Sequence, residues 1–568
     1  MNAPTFRMQL YGIAGVAVAM LVGCEAASPP DTGRRAPARE KPYAILYDGF
    51  ENYSREVDTS SEEAQKFINQ GLQWLYGFND DEAIRCFREA ARLDPECAFP
   101  WWGIAFASGN NINDPVMSEK ETREALEACQ EALARIDNAS DVERALINAV
   151  TKRYSAEPPE DQQVLEEAYA NAMEKVWTQF PDDPDVGTLY AEALMNLQPW
   201  DYWTEDGQPK KRAEEIVSTL ETVIAMAPDH PGALHYYIHA VEASKTPERA
   251  EAAADRLVDL VPGSSHLTHM PSHIFGRLGR YTDAADANAK AIRADRSYLA
   301  TAEEQDYYGL YISHNLHFLA YAAMMEGRYE TALQAAREME THVPSTFMER
   351  YPQIADGWTS ALPHVLVRFG RWKEILELEE YPKGRPISRA MRHYARSIAY
   401  SATGRINEAR GEIDAFNAAA AAVPTDWTIG FNPAHSVFPL ARKMMQGELL
   451  FRIGDHDEAF ELLREAAELE DRLIYDEPPA WLQPVRHALG ALMMAGGRFA
   501  EAEKVYEEDL ERNPRNGWSL LGLEKSRRAQ GKTDDLSRLT RERAKAWARA
   551  DVSPTSSCYC EPGAVTLE

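Results

Sequence analysis

The chain has 568 residues, of which 45% are hydrophobic and 26% charged, a composition typical of soluble globular proteins in a length too great for one compact core. Its 90 acidic and 60 basic residues give a formal net charge of −30. Such a surface repels phosphate backbones, and no basic stripe offsets it, so the sequence predicts no nucleic-acid partner.

The N-terminus has the pattern of a secretory signal. One basic residue, Arg7, precedes an apolar run from about Met8 to Met20, which is too short for a comfortable membrane span. The run ends in the sequence LVGC, which resembles the bacterial lipobox. This resemblance implies that Cys24 is lipidated and becomes the mature N-terminus; the alternative is an ordinary signal peptide with a chance cysteine. We therefore expect a lipoprotein signal peptide at residues 1–24 and membrane attachment by the lipid anchor only.

The next segment, residues 25–60, begins with a stretch rich in proline, alanine and charge, which predicts a flexible tether. No later segment is long and apolar enough to span a membrane. The expected location is therefore the cell envelope, on the periplasmic side. Glu25 follows the predicted lipidated cysteine where an aspartate retains some lipoproteins in the inner membrane, and this favours the outer membrane.

A helical repeat follows the tether. The stretch GLQWLYGFNDDEAIRCFREAARLDP, residues 71–95, has small residues, aromatics and a final proline in a pattern that resembles the tetratricopeptide repeat, a 34-residue helix-turn-helix. A Gly-Arg-aromatic turn signature recurs at GRYTDA, GRYETA, GRWKEI and GRFAEA, and Ala250 and Ala284 are 34 residues apart. The resemblance implies an all-α superhelix, or α-solenoid, of about nine to ten helix pairs over residues 61–550, followed by a C-terminal tail at 551–568.

Histidine is concentrated in the middle of this array. In the repeat register, nine of the 14 histidines fall on groove positions two, five, nine and twelve of the first helix, where chance would place about two. Spacings of three, four and seven residues return to one side of a helix, so His235, His239 and Glu242 share one stripe. Neighbouring helices pack about 8–10 Å apart, which would bring such stripes together in one cavity.

Imidazole and carboxylate groups converging on one cavity suit a transition metal, with Zn, Fe, Mn and Cu all open. The predicted metal ligands are His235, His239, Glu242, His269, His273, His314 and His317. Further candidate groove residues are His266, Tyr321, His364 and His487. So many ligands could build two adjacent sites, or one site with outer partners.

Two functions from different classes fit this pattern. The first is an envelope-tethered metalloprotein, a metal-dependent enzyme of unknown reaction that takes a small-molecule or peptide ligand in its concave groove. The second is a scaffold that binds peptides or proteins in the periplasm through a polar, histidine-lined groove. The blocks HYYIHAVEAS and HMPSHIFGRLGRY resemble a group of bacterial tetratricopeptide lipoproteins, which implies a fold and a location but no reaction. Convergence of the ring nitrogen atoms would favour the metal.

The six cysteines are too few for a disulfide framework in a chain of this length. Cys558 and Cys560 stand one residue apart, where a disulfide between them would be strained, so partners elsewhere, a soft-metal site and free thiols are all open for them. Cys86 and Cys97 could pair in an oxidising envelope, and Cys129 has no evident partner.

Overall fold

The computed structural model describes residues 42–159, 161–204, 207–302 and 308–564. The predicted signal peptide, the predicted lipidation residue Cys24 and the predicted tether as far as residue 41 lie outside the described residues. From Tyr43 onward the chain forms one compact unit. No helix in the described part of the chain has the length and apolar character needed to cross a membrane.

Helices follow one another as antiparallel pairs. Those of the N-terminal half are α1 (Glu62–Tyr76), α2 (Asp80–Leu93), α3 (Phe99–Ala107), α4 (Glu119–Ala134), α5 (Asp141–Val150), α6 (Gln163–Gln179), α7 (Pro184–Asn196), α8 (Ala213–Met226), α9 (Pro231–Val241), α10 (Glu251–Leu257), α11 (Ser265–His269), α12 (Pro271–Arg277) and α13 (Tyr281–Leu299). Short 3-10 helices lie at Ile136–Asn138 and Pro247–Ala250.

The C-terminal half continues the same arrangement. Its helices are α14 (Gly309–Met325), α15 (Tyr329–His342), α16 (Ser345–Arg350), α17 (Pro352–Trp358), α18 (Ala361–Arg368), α19 (Trp372–Glu377), α20 (Pro386–Ala402), α21 (Ile406–Ala421), α22 (Ala434–Ile453), α23 (His456–Asp471), α24 (Val485–Ala495), α25 (Phe499–Arg512), α26 (Gly517–Ala529) and α27 (Leu536–Ala546). A small antiparallel hairpin pairs β1 (Thr428–Ile429) with β2 (Asn432–Pro433). The predicted all-α superhelix is confirmed.

The Gly-Arg-aromatic signature marks the turn between the two helices of a pair. Gly279, Gly327 and Gly497 have φ values of 70°, 70° and 75°, in the left-handed region that glycine adopts without steric cost. The arginine that follows begins the next helix, and Arg280 Nε donates to Asp283 Oδ2 at 2.6 Å, three residues further on. The same arginine–acid pair recurs in later turns. The glycine of the signature therefore allows the turn, and its arginine forms an ion pair with an acidic residue in the first turn of the second helix.

The superhelix closes on itself, so the face that carries the histidines is an interior. Tyr298 on α13 donates a hydrogen bond to Glu82 on α2 at 3.1 Å. The Tyr311 hydroxyl on α14 donates to the carbonyl of Phe78 at 3.3 Å, across 233 positions of sequence. Farther along, Trp518 Nε1 on α26 donates to a carbonyl near the end of α14 at 2.9 Å. These contacts bring the first and the last helices back onto the middle of the array.

Residues 43–60 pack on the helices, in contrast to the predicted flexible tether. Ala44 and Phe50 are buried, and the Phe50 ring lies 4.5 Å from the ring of Trp74. Gln73 Nε2 donates to the Phe50 carbonyl at 2.7 Å. Because apolar side chains and backbone groups of this segment find partners on α1, the packed unit begins at residue 43 rather than at residue 61.

The C-terminal tail is also bound to the helices. Asp551 accepts hydrogen bonds from the backbone N–H groups of Tyr329 at 2.6 Å and Glu330 at 3.0 Å, at the start of α15. The structure pairs Cys558 with Cys560 as a disulfide. Within the described residues the other cysteines, Cys86, Cys97 and Cys129, are buried free thiols.

Candidate metal centre

Six histidines on α9, α11, α12 and α14 form two groups of three inside the closed superhelix. The first triad is His235, His239 and His266, and the second triad is His269, His273 and His314. Within each triad the three candidate nitrogen atoms lie within 4.8 Å of one another. Five of the six side chains are buried, and that of His314 is partly exposed.

Helical spacing delivers two histidines of each triad. His235 and His239 are four residues apart on α9, so both rings leave the same side of the helix. His269 and His273 have the same spacing but lie on either side of Pro271, which begins α12. Since proline has no N–H group, it cannot continue the hydrogen bonding of α11, and the chain divides there into two short helices.

Hydrogen bonds indicate the proton positions of two histidines in the first triad. His235 Nδ1 lies 2.6 Å from the carbonyl oxygen of Tyr76, which can only accept, so Nδ1 carries the proton. His239 Nδ1 lies 2.8 Å from Glu242 Oε1 and donates to it in the same way. The Nε2 atoms of both rings are therefore bare acceptors. Both are buried without a hydrogen-bond partner among the described residues, as are both ring nitrogen atoms of His266.

The second triad has the same arrangement and closer contacts. His273 Nδ1 lies 2.5 Å from Glu242 Oε2, and His269 Nδ1 lies 2.7 Å from Asn288 Oδ1, whose amide nitrogen is bound to a helix carbonyl. With both Nδ1 protons so directed, the bare Nε2 atoms of His269 and His273 face each other at 2.9 Å. His314 Nε2 lies 3.3 Å from His273 Nε2. Nitrogen ligands of a tetrahedral ion with bonds of about 2.0–2.1 Å stand about 3.3 Å apart.

Glu242 joins the two triads. One carboxylate oxygen accepts from His239 of the first triad and the other from His273 of the second. Burial raises the pKa of Glu242, but His273 and His239 lower it further, to about 2, so the group is an ionised acceptor. We predicted Glu242 as a metal ligand, whereas the structure places it behind the histidines, where carboxylates orient metal-bound imidazoles.

Burial disfavours the protonated form of four of these imidazoles. Burial, followed by the charges of neighbouring histidines, holds the pKa well below its ordinary value of 6.5 for His235, His266, His269 and His314. Because the pKa of His269 is held low, that ring is a poor carrier of the proton that would separate the facing lone pairs. The arrangement favours a metal ion instead.

Aromatic side chains enclose the first triad. The Phe78 ring lies 4.7 Å from the ring of His235, 6.0 Å from that of His239 and 5.6 Å from that of His266. Trp200 places its ring 4.9 Å from that of His239. Both aromatic residues have left-handed backbones, with φ values of 55° and 61°. Such a conformation costs about 1–3 kcal/mol in a residue other than glycine and is typical of functional sites.

The second triad is more open. Phe318 covers one side, with its ring 5.5 Å from that of His273, and Trp358 lies 4.7 Å from His314 at the other. Arg277 donates to the backbone carbonyl of Glu242 at 2.6 Å and so holds the backbone of Glu242 in place. His314 is the one histidine of the two triads that retains partial exposure.

The predicted residues that lie outside both triads include His317, His364 and Tyr321. His317 is on α14 with His314, but its ring faces Trp358 at 5.4 Å. The His364 ring packs 4.8 Å from the ring of Trp481, and Tyr321 packs on aromatic neighbours. Conversely His266, predicted only as a further groove residue, belongs to the first triad.

His487 belongs to a separate buried network. Its Nε2 donates to Asp509 Oδ2 at 2.9 Å, and its Nδ1 accepts from Arg368 at 2.8 Å. Asp509 also accepts from Ser519 at 2.6 Å. Both ring nitrogen atoms are thus occupied, and the residue has a structural role.

Three solved structures are similar to this chain at 12% sequence identity. The human IFIT1 dimer with PPP-AAAA matches over 86% of this chain and 96% of that chain, with a TM-score of 0.30. The yeast Tom70 matches over 85% and 93%, and the APC/C hetero-tetramer Cut9-Hcn1 over 86% and 74%, each with a TM-score of 0.27. No protein-family model matches the sequence, and no curated protein matches it. The chemistry of the site therefore rests on its own residues.

Proposed function

We propose that this protein is a metalloprotein that binds two transition-metal ions, one in each triad. The observation that carries the proposal is the oxygen atom that lies beside Nδ1 in four of the histidines, from which we infer the direction of the Nδ1 protons. In His235, His239, His269 and His273 they point away from the triads, toward oxygen atoms of Tyr76, Glu242 and Asn288. The bare Nε2 atoms then converge inside the triads, two of them 2.9 Å apart. Facing lone pairs repel each other unless a cation lies between them.

Three imidazole ligands leave one position of a tetrahedral ion open, as in catalytic zinc sites. Neutral imidazole suits Zn²⁺, Fe²⁺ and Cu²⁺ better than Mn²⁺, so the first three of the four ions predicted from the sequence are favoured. We assign a structural role to the first ion, because Phe78 and Trp200 enclose its triad. The second ion, beside the partly exposed His314, is the one that would polarise a small-molecule ligand or activate water.

The alternative scaffold function has less support. A polar groove that binds peptides would expose its histidines to solvent, whereas five of these six rings are between 0% and 6% exposed. Neutral imidazoles buried with unpaired nitrogen atoms are also a poor recognition surface, because each unpaired nitrogen loses a hydrogen bond to water.

The proposed location is the cell envelope, with the protein held by a lipid on Cys24. A Cys24→Ser variant would then move from the membrane fraction to the soluble fraction of the envelope. Retention of this variant in the membrane fraction would rule out the lipid anchor.

Elemental analysis of residues 25–568, purified without a histidine tag, tests the metal proposal. We expect two ions per chain, and one ion per chain in either a His235→Ala/His239→Ala or a His269→Ala/His273→Ala variant. A His393→Ala/His435→Ala variant removes two histidines outside the triads and should keep both ions. Folded protein that stays metal-free after incubation with each of the four ions would overturn the proposal.

A further inference from the structure

A third group of candidate ligands lies away from both triads, where the C-terminal tail meets α22. Glu448, Cys558 and Cys560 bring a carboxylate oxygen and two sulfur atoms within 4.8 Å of one another. The two sulfur atoms are joined in a disulfide. Glu448 is 4% exposed and Cys560 1% exposed, whereas Cys558 is partly exposed.

The Glu448 side chain is the carboxylate member of this group. It is 96% buried, yet no described residue donates a hydrogen bond to it or forms an ion pair with it. Burial raises its pKa to about 8, and the charge of Arg452, one turn along α22, lowers it only in part. A buried carboxyl that faces two sulfur atoms without a partner has the surroundings of a cation ligand.

The tail is held in place independently of the disulfide. The Ser557 hydroxyl donates to the carbonyl of His487 at 2.8 Å, and Arg368 donates to the Ser557 carbonyl at 2.5 Å. Tyr559 is buried against Trp518, with ring centroids 6.3 Å apart. Cleavage of the S–S bond would therefore leave both sulfur atoms beside Glu448.

We propose that reduction of the Cys558–Cys560 disulfide creates a third metal site, in which two thiolates and Glu448 bind a divalent thiophilic cation such as Zn²⁺ or Cd²⁺. A thiol reductant supplies two electrons and two protons: its two S–H groups become a disulfide, while the S–S bond of the chain breaks and each cysteine gains a proton. The cation then displaces both thiol protons and binds the thiolates with the ionised carboxylate. In the oxidised chain neither sulfur can become a thiolate, so the site depends on the redox state.

Two thiolates and a carboxylate carry three negative charges, which a divalent ion offsets in part within a buried site. This site would offer sulfur ligands, which favour soft ions such as Cd²⁺, whereas the triads offer only imidazole nitrogen atoms. The third site is thus chemically distinct from the metal centre proposed above, and neither proposal depends on the other.

Cadmium binding to the full chain tests this inference. Reduced protein, freed of reductant under anaerobic conditions, should bind one Cd²⁺ more than oxidised protein and develop the ultraviolet absorption of a cadmium–thiolate bond. The triads hold no sulfur and cannot produce that absorption. A Cys558→Ser/Cys560→Ser variant should lose it and keep the ions of the triads, while Cys86, Cys97 and Cys129 remain as an internal control. A Glu448→Gln variant should bind Cd²⁺ at least about tenfold more weakly.

Alkylation of the wild-type chain gives a second measurement that needs no variant. Cd²⁺ should protect Cys558 and Cys560 from alkylation in the reduced protein, as read by mass spectrometry of the C-terminal peptide. Equal alkylation of both residues with and without Cd²⁺ would overturn the proposal. So would thiolate absorption of full strength in the Cys558→Ser/Cys560→Ser variant.

Discussion

Replacement of Glu242 by glutamine tests whether one carboxylate sets the proton positions of both triads. Glutamine has one acceptor oxygen and one NH₂ donor, so it can accept from His239 or from His273 but not from both. The histidine that meets the NH₂ group must accept at Nδ1 and carry its proton on Nε2, which can then no longer bind a metal. Loss of such an orienting group typically costs about 10- to 100-fold in metal affinity. This loss of affinity corresponds to about 1.4–2.8 kcal/mol of binding free energy. We expect this loss for one of the two ions, with the other retained.

Competition with a chromogenic chelator measures both affinities in one titration. Glu192→Gln is the matched control, because Glu192 is a buried carboxylate on α7 that hydrogen-bonds Asn196 and does not contact the triads. Circular dichroism of both variants would establish that they are folded. If folded Glu242→Gln bound both ions with wild-type affinity, the assignment of the Nδ1 protons would be refuted.

Three further predictions concern stability and ion exchange. His487→Ala removes a buried hydrogen-bond donor and should lower the free energy of unfolding by about 1–3 kcal/mol, measured by urea titration, with unchanged metal content. Burial raises the pKa of Asp185, but His230 and Arg55 hold it well below its ordinary value, so its stabilisation is present above the unfolded pKa of about 3.9 and is lost as the pH falls toward the folded pKa. Asp185→Asn should therefore destabilise the protein at neutral pH and flatten the acid limb of its stability curve. Phe78→Gly keeps the left-handed backbone and removes the ring, so the first ion should leave to a chelator as fast as the second.

Each of these three predictions has an outcome that would contradict it. Loss of an ion from the His487→Ala variant would mean that His487 belongs to the metal centre. A stability difference between Asp185→Asn and wild type that stays constant from neutral to acid pH would mean that the pKa of Asp185 is not lowered by folding. Two-phase metal release that persists unchanged in Phe78→Gly would show that the ring does not control access to the first triad.

Periodicity predicted the inward face of each helix, and it did so because side-chain direction follows from 3.6 residues per turn. The pairs His235–His239 and His269–His273 were predictable for this reason. The grouping into triads was not, since it depends on how neighbouring helices rotate about their axes. His317 shows the difference: it has a groove position in the repeat, but its ring faces Trp358 and not the triads.

Other features of the structure had only a weak signal in the sequence, or none. The role of Glu242 depends on its distance from His273, which lies 31 residues away in sequence. Phe78 and Trp200 adopt a backbone that their residue types disfavour, so local propensity argues against the conformation that encloses the first triad. The packing of residues 43–60 did have a signal, because the sequence PYAILYDGFENY is far richer in aromatic residues than a flexible tether.

Under the proposed function, closure of the superhelix and metal binding are physically coupled. Without an ion, the closed form buries bare nitrogen atoms on His235, His239 and His266, and each unpaired polar group destabilises it by about 1–3 kcal/mol. The left-handed backbone of Phe78, held by the hydrogen bond from Tyr311 to its carbonyl, adds about 1–3 kcal/mol. An ion that binds only the closed form would offset these free-energy costs, by about 2.7 kcal/mol at a free concentration 100 times its Kd. If the proposed ion binds the first triad, it would therefore help to keep the superhelix closed.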